Sequence, residues 1–399
     1  MDLVRRLQQH NAGREPERLA LKYRAMRASP YRFLRGSCAL FYDRLPEAGV
    51  FRSAPPVWVC GDLHLENFGS YKGDNRLVYF DLNDFDEGAL APASWELVRM
   101  LASIHVAAAG LGAKRAQAQA LCAAFLDAYG PALAAGKAYW IERETAQGLV
   151  RELLDSVRER SRKALLDSRT QLHKGRRRLR VDGSKALPAS TAQRAQVTAF
   201  MAEHARAQDR PGFFEVLDVA RRIAGTGSLG IARYAILVEG KGSPDGNYLL
   251  DLKAAQPSAL ASRLKQVQPP WTTQAERVVT VQRRMQAVSM AFLQPVVMDE
   301  QAYLLRALQP SEDRVAIDRP GLDSGALADT VAAMGRLLAW AQLRSAGRQG
   351  SASADELVEW GGKRKWKERL QDIAEACASQ SQRDAATFAT AYDDGAFNG

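Results

Sequence analysis

Cysteine and histidine are both scarce in this chain. Four cysteines in 399 residues (Cys38, Cys60, Cys122 and Cys377) lie scattered with no Cys-x-x-Cys pair. That argues against a zinc ribbon or a disulfide framework and fits reduced thiols in a cytoplasm. The five histidines, His10, His64, His105, His173 and His204, occur in no Gly-Asn-His or Gly-His-x-His setting. A two-metal phosphoesterase needs several histidine ligands in distinct boxes, which disfavours that class even though Gly61-Asp62-Leu63-His64 shares elements with it. Long hydrophobic runs are missing as well. No stretch approaches the roughly eighteen apolar residues of a membrane span, and MDLVRRLQQHNAGRE at the start lacks the apolar centre of a secretory leader. Both absences lead us to expect a cytoplasmic chain. No long internal period recurs, which argues against a solenoid or propeller.

What is present is an ordinary globular composition, 46% hydrophobic and 25% charged, in a chain long enough to bury a large core. Fifty-five Lys+Arg against forty-five Asp+Glu leave a formal charge of +10, which favours anionic partners. The surplus is partly local: residues 172–185, LHKGRRRLRVDGSK, carry six Lys/Arg and one Asp. A solvated loop is the plain reading and a phosphate-facing loop the functional one. Nucleic acid is not expected, because no binding module accompanies the charge.

The hydrophobic pattern changes twice along the chain. Residues 1–50 read as helical, and 55–90 contain two short buried strands, VWVC and RLVYFDLND, each delivering polar residues into a loop. From Pro92 the period turns helical, with Leu97, Leu101, Ile104 and Ala108 on one side until Gly110-Leu111-Gly112 breaks the run. Residues 137–205 read as charged helices around the basic stretch. IARYAILVEG and NYLLDLKAA, joined by GKGSPDGN, read as a β-hairpin; PPWTTQAERVVTVQRRMQAV reads as a helix capped near Thr272–Thr273; and VVMDEQAYLLRALQP reads as a strand pair turning at Asp299-Glu300. The expected fold is therefore α+β in two lobes: a helical lobe from 1–205 and 313–399, with a sheet lobe, 206–312, set between its halves.

Two constellations can carry chemistry. The first is Cys60-Gly-Asp-Leu-His-Leu-Glu-Asn-Phe-Gly69, which puts Asp62 and Asn67 in a loop after a strand; Asp81, Asn83, Asp84 and Asp86 follow at the end of the next strand. Phosphoryl transfer to a hydroxyl needs a carboxylate to orient and deprotonate the acceptor, and hard oxygen ligands for Mg²⁺. These residue types supply both. The second is Gly225-Thr226-Gly227-Ser228-Leu229-Gly230. A Rossmann turn would lead into a helix, yet Gly230 leads into the β-type run Ile231–Val238, then a hairpin, then Lys253 on a strand. That is the order of a kinase-type flap over nucleotide phosphates. An ordinary glycine-rich turn, or a Rossmann turn with Asp251 as its ribose acid, remains the alternative.

Together these residues resemble the protein-kinase-like superfamily, above all its aminoglycoside and choline phosphotransferase branch, whose H-G-D-x-H-x-x-N loop GDLHLENFG approaches. Over the whole chain the resemblance is to an uncharacterised bacterial family, domain of unknown function 2252, with its GDxHxxNFG box, FDxNDFD segment, later glycine-rich strand pair and ERVV-x-x-Q helix. The loop 60–69 precedes the glycine flap, the reverse of kinase order, so the resemblance implies a circularly permuted kinase-like fold that uses ATP and Mg²⁺ on a small-molecule or protein acceptor. It implies Asp62 as catalytic base, Asn67 and Asp81 as metal ligands with Asp84 and Asp86 as rivals, and Lys253 on the α/β-phosphates paired with Glu276. Gly225, Thr226, Gly227, Ser228 and Gly230 would cover the phosphates, and Leu304–Leu308 would lead to the adenine hinge. His64 would order its loop by hydrogen bonding, and Arg35 would bind phosphate or pin a turn. A catalytically weak pseudokinase and an AMP-transferring enzyme are the competing functions, and a monomer is the favoured state.

Overall fold

The computed structural model describes residues 2–110, 113–310, 313–317 and 323–397. It is an α+β fold in which a helical body meets one large antiparallel sheet.

ASWELVRMLASIHVAAAG forms the helix Ala93–Gly110, buried around almost its whole circumference, as expected of a helix apolar on all sides. It ends at Gly110, and the expected breaker residues Leu111 and Gly112 lie outside the described residues. The long helix Lys365–Asp393 and the helix Arg115–Ala134 pack on it, and Ser324–Ser345 packs on the latter. Together they enclose the main hydrophobic core. The four cysteines are buried free thiols.

The large sheet runs, edge to edge, Gln294–Met298, Gln301–Ala307, Tyr248–Ala254, Arg233–Val238, Val216–Arg222 and Ala186–Pro188, all neighbours antiparallel. The expected hairpin is present, with Arg233 opposite Lys253. So is the strand pair turning at Asp299-Glu300, where both residues have positive φ. The helix Gln274–Met285 starts at Thr273, whose side chain accepts from the Glu276 amide. Because side chains alternate across a strand, one face presents Ile236, Leu250, Leu252 and Leu305 to the helix Thr191–Arg206. The other presents Lys253, Asp251, Arg233, Arg222 and Arg306 together with Ala235 and Leu249.

Two expectations need correction. The sheet reaches beyond the 206–312 block, since Ala186–Pro188 joins its edge. The basic stretch is a β-hairpin rather than a solvated loop: Thr170–His173 pairs with Arg176–Leu179. Its charge count hides a period of two, in which Arg177 and Leu179 turn inward while Arg176 and Arg178 face solvent. Arg177 can be buried because Asp167 and Asp245 pair with it, at 2.7 and 2.6 Å.

Candidate functional site

The strand Pro56–Val59, paired with Ala89–Pro92, delivers the loop 60–69 into the seam between helical body and sheet. Gly61 turns the chain at φ +85°, and a Cβ there would overlap the Glu87 carbonyl. The buried helix Ala93–Gly110 holds this turn from beneath. Glu96 accepts from the amides of Cys60 (2.7 Å) and Gly61 (3.3 Å). One turn on, Arg99 donates through Nη2 to Asp62 Oδ1 at 2.5 Å and to the Leu34 carbonyl at 2.7 Å. Arg99 is wholly buried, whereas the Asp62 side chain keeps 20% exposure. The base candidate is thus fixed at one oxygen and still reaches open space. Burial pushes the Glu96 carboxyl up to about 7, against the downward pull of the Cys60 and Gly61 donors.

His64 and Asn67 order the rest of the loop. His64 Nδ1 accepts from the Glu66 amide at 3.1 Å, and Arg35 Nε lies 3.3 Å from its Nε2. Burial, then the charges of Arg35, Arg99 and Arg314, keep the imidazole well below its usual pKa, so it stays neutral. Asn67 clamps two segments: its Nδ2 donates to the carbonyls of Asp62 (3.3 Å) and Asp84 (3.1 Å), and its Oδ1 accepts from the Asp84 amide (2.8 Å).

The sheet side meets this acidic segment at Asp86. Lys253, buried on its strand, forms an ion pair with Asp86 Oδ2, and Ser228 of the glycine loop donates to the same oxygen at 3.3 Å. Burial and the adjacent Asp86 charge raise Asp84; on Asp86 burial acts upward too, but the charge and hydrogen bond of Lys253 outweigh it and hold that carboxyl low. Gly225 and Gly230 open and close the glycine loop at φ +73° and +87°, with Thr226 and Gly227 half-buried between them. Gly227 runs against Arg35, where a Cβ would sit 3.3 Å from the Arg35 carbonyl. The Arg35 guanidinium pairs with Glu66, as does that of Arg314. Arg35 therefore spans glycine loop and loop 60–69.

Two of the expected residues stand elsewhere. Asp81 is 1% exposed and turned toward the helix Ser324–Ser345, accepting from the amides of Leu82 (2.9 Å) and Ala287 (3.2 Å) and from Arg344 (3.3 Å). The strand Val78–Leu82 puts it on the face away from the cleft, and the chain must leave the strand before Asp84 and Asp86 can turn in. Glu276 does not reach Lys253. It lies in the first turn of its helix and accepts from the Thr272 amide at 2.8 Å, a capping arrangement. Its neighbour Arg277 faces the site instead, donating to the carbonyls of Asp86 and Gln256, both at 2.8 Å.

Several further residues take part beside those expected to carry the chemistry. Glu96 and Arg99 carry a signal: they are the two charged residues in ASWELVRMLASIHVAAAG, spaced i,i+3 on one helix face. Arg14 and Lys22 carry none. Arg14 donates to the carbonyls of Gly227 (2.7 Å) and Leu229 (2.8 Å), and Lys22 to Gly227 (3.2 Å) and to Asn11 (2.8 Å). Burial drives the Lys22 pKa well below its ordinary value, helped by the Arg14 charge.

The donor chemistry suits magnesium, which takes one or two carboxylates and completes its shell with water and substrate phosphates. Asp84 and Asp86, beside the Asn67 amide oxygen, offer those oxygens, although among the described residues no group of three or more His, Cys, Asp or Glu could hold a metal by itself.

The chain belongs to the family DUF2252, described as an uncharacterized protein conserved in bacteria, which matches residues 14–391. No curated protein and no solved structure matches it. No helix among the described residues is long and apolar enough to cross a membrane.

Proposed function

We propose that the chain is a cytoplasmic, ATP- and Mg²⁺-dependent phosphotransferase with a circularly permuted, two-lobed kinase-like fold, acting on a hydroxyl-bearing acceptor. The observation that carries the reading is the meeting of Lys253, Ser228 and Asp86, which joins the two constellations across about 140 to 170 residues of chain at one point. The succession Val216–Arg222, glycine loop, Arg233–Val238, lysine strand, helix Gln274–Met285 and strand pair supports it further. Protein kinases likewise carry a glycine-rich loop, then a strand lysine, then a helix.

In this reading Lys253 leaves Asp86 to hold the α/β-phosphates, and the glycine-loop amides cover them. Asp84 and Asp86, with Asn67, would hold magnesium, which supplies charge neutralisation along the phosphates. Asp62 orients the acceptor hydroxyl and takes its proton as the acceptor oxygen bonds to the γ-phosphorus and the bond to the ADP oxygen breaks. Arg99 keeps Asp62 pointed at that hydroxyl. One observation favours a slow enzyme, a pseudokinase or an AMP-transferring one: kinases pair the strand lysine with a helix glutamate, and here Glu276 is occupied in capping.

Mg-ATP consumption by the purified chain tests the reading. Asp62→Asn should lower turnover by about 10²–10⁴-fold while leaving nucleotide binding intact. Nucleotide at about a hundred times its dissociation constant should stabilise the wild type by roughly 2.7 kcal/mol, and Lys253→Ala should remove that gain. Tight ATP binding without turnover in either protein would establish the pseudokinase, and AMP attached to acceptor the alternative transfer. A melting temperature indifferent to Mg-ATP would overturn the nucleotide site itself.

A further inference from the structure

The helix Gln274–Met285 lies along the acid-bearing segment and holds it at both ends. At one end the side chain of Gln286, just past the helix, donates to the Leu82 carbonyl at 2.7 Å, and the Ala287 amide donates to Asp81 at 3.2 Å. At the other, Arg277 donates to the carbonyl of Gly88 and, at 2.8 Å, to that of Asp86. From Arg277 to Gln286 is roughly 14 Å of helix, so one rigid element bridges the stretch from Asp81 to Gly88. Gly88 permits the close approach: a Cβ there would sit 3.0 Å from a methyl of Val281, one turn on from Arg277.

Arg277 also reaches the lysine strand. Its Nη2 donates to the Gln256 carbonyl at 2.8 Å, three residues past Lys253, and its Nε to the Gln274 side chain at 2.8 Å. One guanidinium, 5% exposed, therefore ties the backbone at Asp86 to the backbone that leads from Lys253. Those are the two residues that meet as an ion pair across the site. The acceptors are all neutral oxygens, while the charges of Glu87 and Asp86 act on Arg277 through space. The planar fork explains why arginine stands here. Three carbonyls from two segments converge on it, and the compact ammonium of a lysine could not span them.

We propose that Arg277 is a positioning residue for the magnesium-binding acids, coupling the helix Gln274–Met285 to Asp86 through backbone carbonyls. Kinases couple their helix to the site through a glutamate on the strand lysine. Here the helix grips the acids themselves, and the same guanidinium sets their distance from Lys253. Asp86 and Asp84 move as one piece with it, since the Asp86 amide donates to Asp84 Oδ1 at 3.2 Å. The inference rests on the phosphotransferase reading and adds to it the element that governs metal binding.

ATP binding by the full chain, measured with and without Mg²⁺, tests the proposal in wild type, Arg277→Lys and Arg277→Met. Both variants, checked for native circular dichroism, should bind ATP alone as wild type does. The tightening that Mg²⁺ gives should fall by about 10–100-fold, as for other groups that orient metal ligands. An unchanged gain from Mg²⁺ would overturn the proposal. So would ATP affinity lost equally with and without Mg²⁺, the mark of a merely structural arginine. Amide exchange on wild type needs no variant to fold: Mg-ATP should slow exchange in 274–286 together with 84–88. Protection confined to 84–88 would overturn the coupling. Wild type that binds no Mg-ATP would overturn the phosphotransferase reading and this inference with it, whereas a wild-type response shared by the variants would overturn this inference alone.

Discussion

The loop 60–69 and the glycine loop 225–230 face each other across the site, but they are held in different ways. The first is pinned mostly from nearby in sequence: Glu96 and Arg99 hold Cys60, Gly61 and Asp62 from 35 to 37 residues away and Asn67 clamps Asp84 from 17, with Arg314 alone of the residues named here reaching in from far along the chain, to Glu66. The second is gripped from more than 200 residues away, by Arg14 and Lys22 on its carbonyls and by a bond from the Glu15 amide to the Gly230 carbonyl at 2.8 Å. Buried backbone polar groups must find partners; local chain supplies them to one loop and the far N-terminal region to the other. The acid-bearing loop should accordingly be the stiffer, with its stability charged to the core of the helical body, while the glycine loop depends on a docking contact that can loosen without unfolding that core.

Substitutions at the glycines and at Glu96 can break or sharpen this contrast. Gly61→Ala should be the most damaging, because it combines positive φ with overlap on the Glu87 carbonyl; a loss of about 3 kcal/mol or more is expected in urea unfolding. A loss under about 1 kcal/mol would mean the loop is not rigidly held. Glu96 comes next, through pH. Its folded pKa, about 7 against 4.5, means the native state retains a proton that the unfolded state releases, so stability declines as pH rises from about 4.5 through 7. Glu87, also about 7 through burial, acts in the same sense. Glu96→Gln cannot ionise, so relative to wild type it should gain up to roughly 3 kcal/mol between pH 5 and 8; parallel wild-type and variant profiles would refute the assignment.

On the sheet side the expected effects shrink. Gly230→Ala meets positive φ and the Arg14 Cβ at 2.8 Å, the near end of a side chain that must swing aside. A cost of about 1–2 kcal/mol is expected, with faster amide exchange at 225–230 and little change at 60–69. Gly227→Ala, which would bring a Cβ only to 3.3 Å from the Arg35 carbonyl, should cost under about 0.5 kcal/mol. Amide exchange that rises equally in both loops would show that the two are a single cooperative unit and dissolve the contrast.

Much of the site's chemistry was visible as residue type and spacing. Asp62, His64 and Asn67 sit in one loop, and Lys253 follows the glycines on a strand, because loops and hairpins are short-range objects written in alternation and turn residues. Asp81 shows the limit of spacing. Nineteen residues from Asp62 pointed to it, but the strand's two-fold alternation turned it to Arg344, and the acids that face Lys253 and Asn67 come after the strand ends. Glu276 shows another. It is the first acid after Lys253 along the chain, and an unsatisfied helix terminus claimed it first. In the basic stretch the count of charges concealed a hairpin, since six like charges look solvated until Arg177 is seen to be buried between two aspartates.

The strands, their hairpins and the two charged residues inside an otherwise apolar helix follow from order and period along the chain, as does membership of the family. Contacts between segments far apart do not, because any of several acids and bases could satisfy the same charge. Burial settled the choice. It assigned Asp86 to Lys253, Arg14 and Lys22 to the glycine loop, and Arg222, Arg233 and Arg306 together to Asp251.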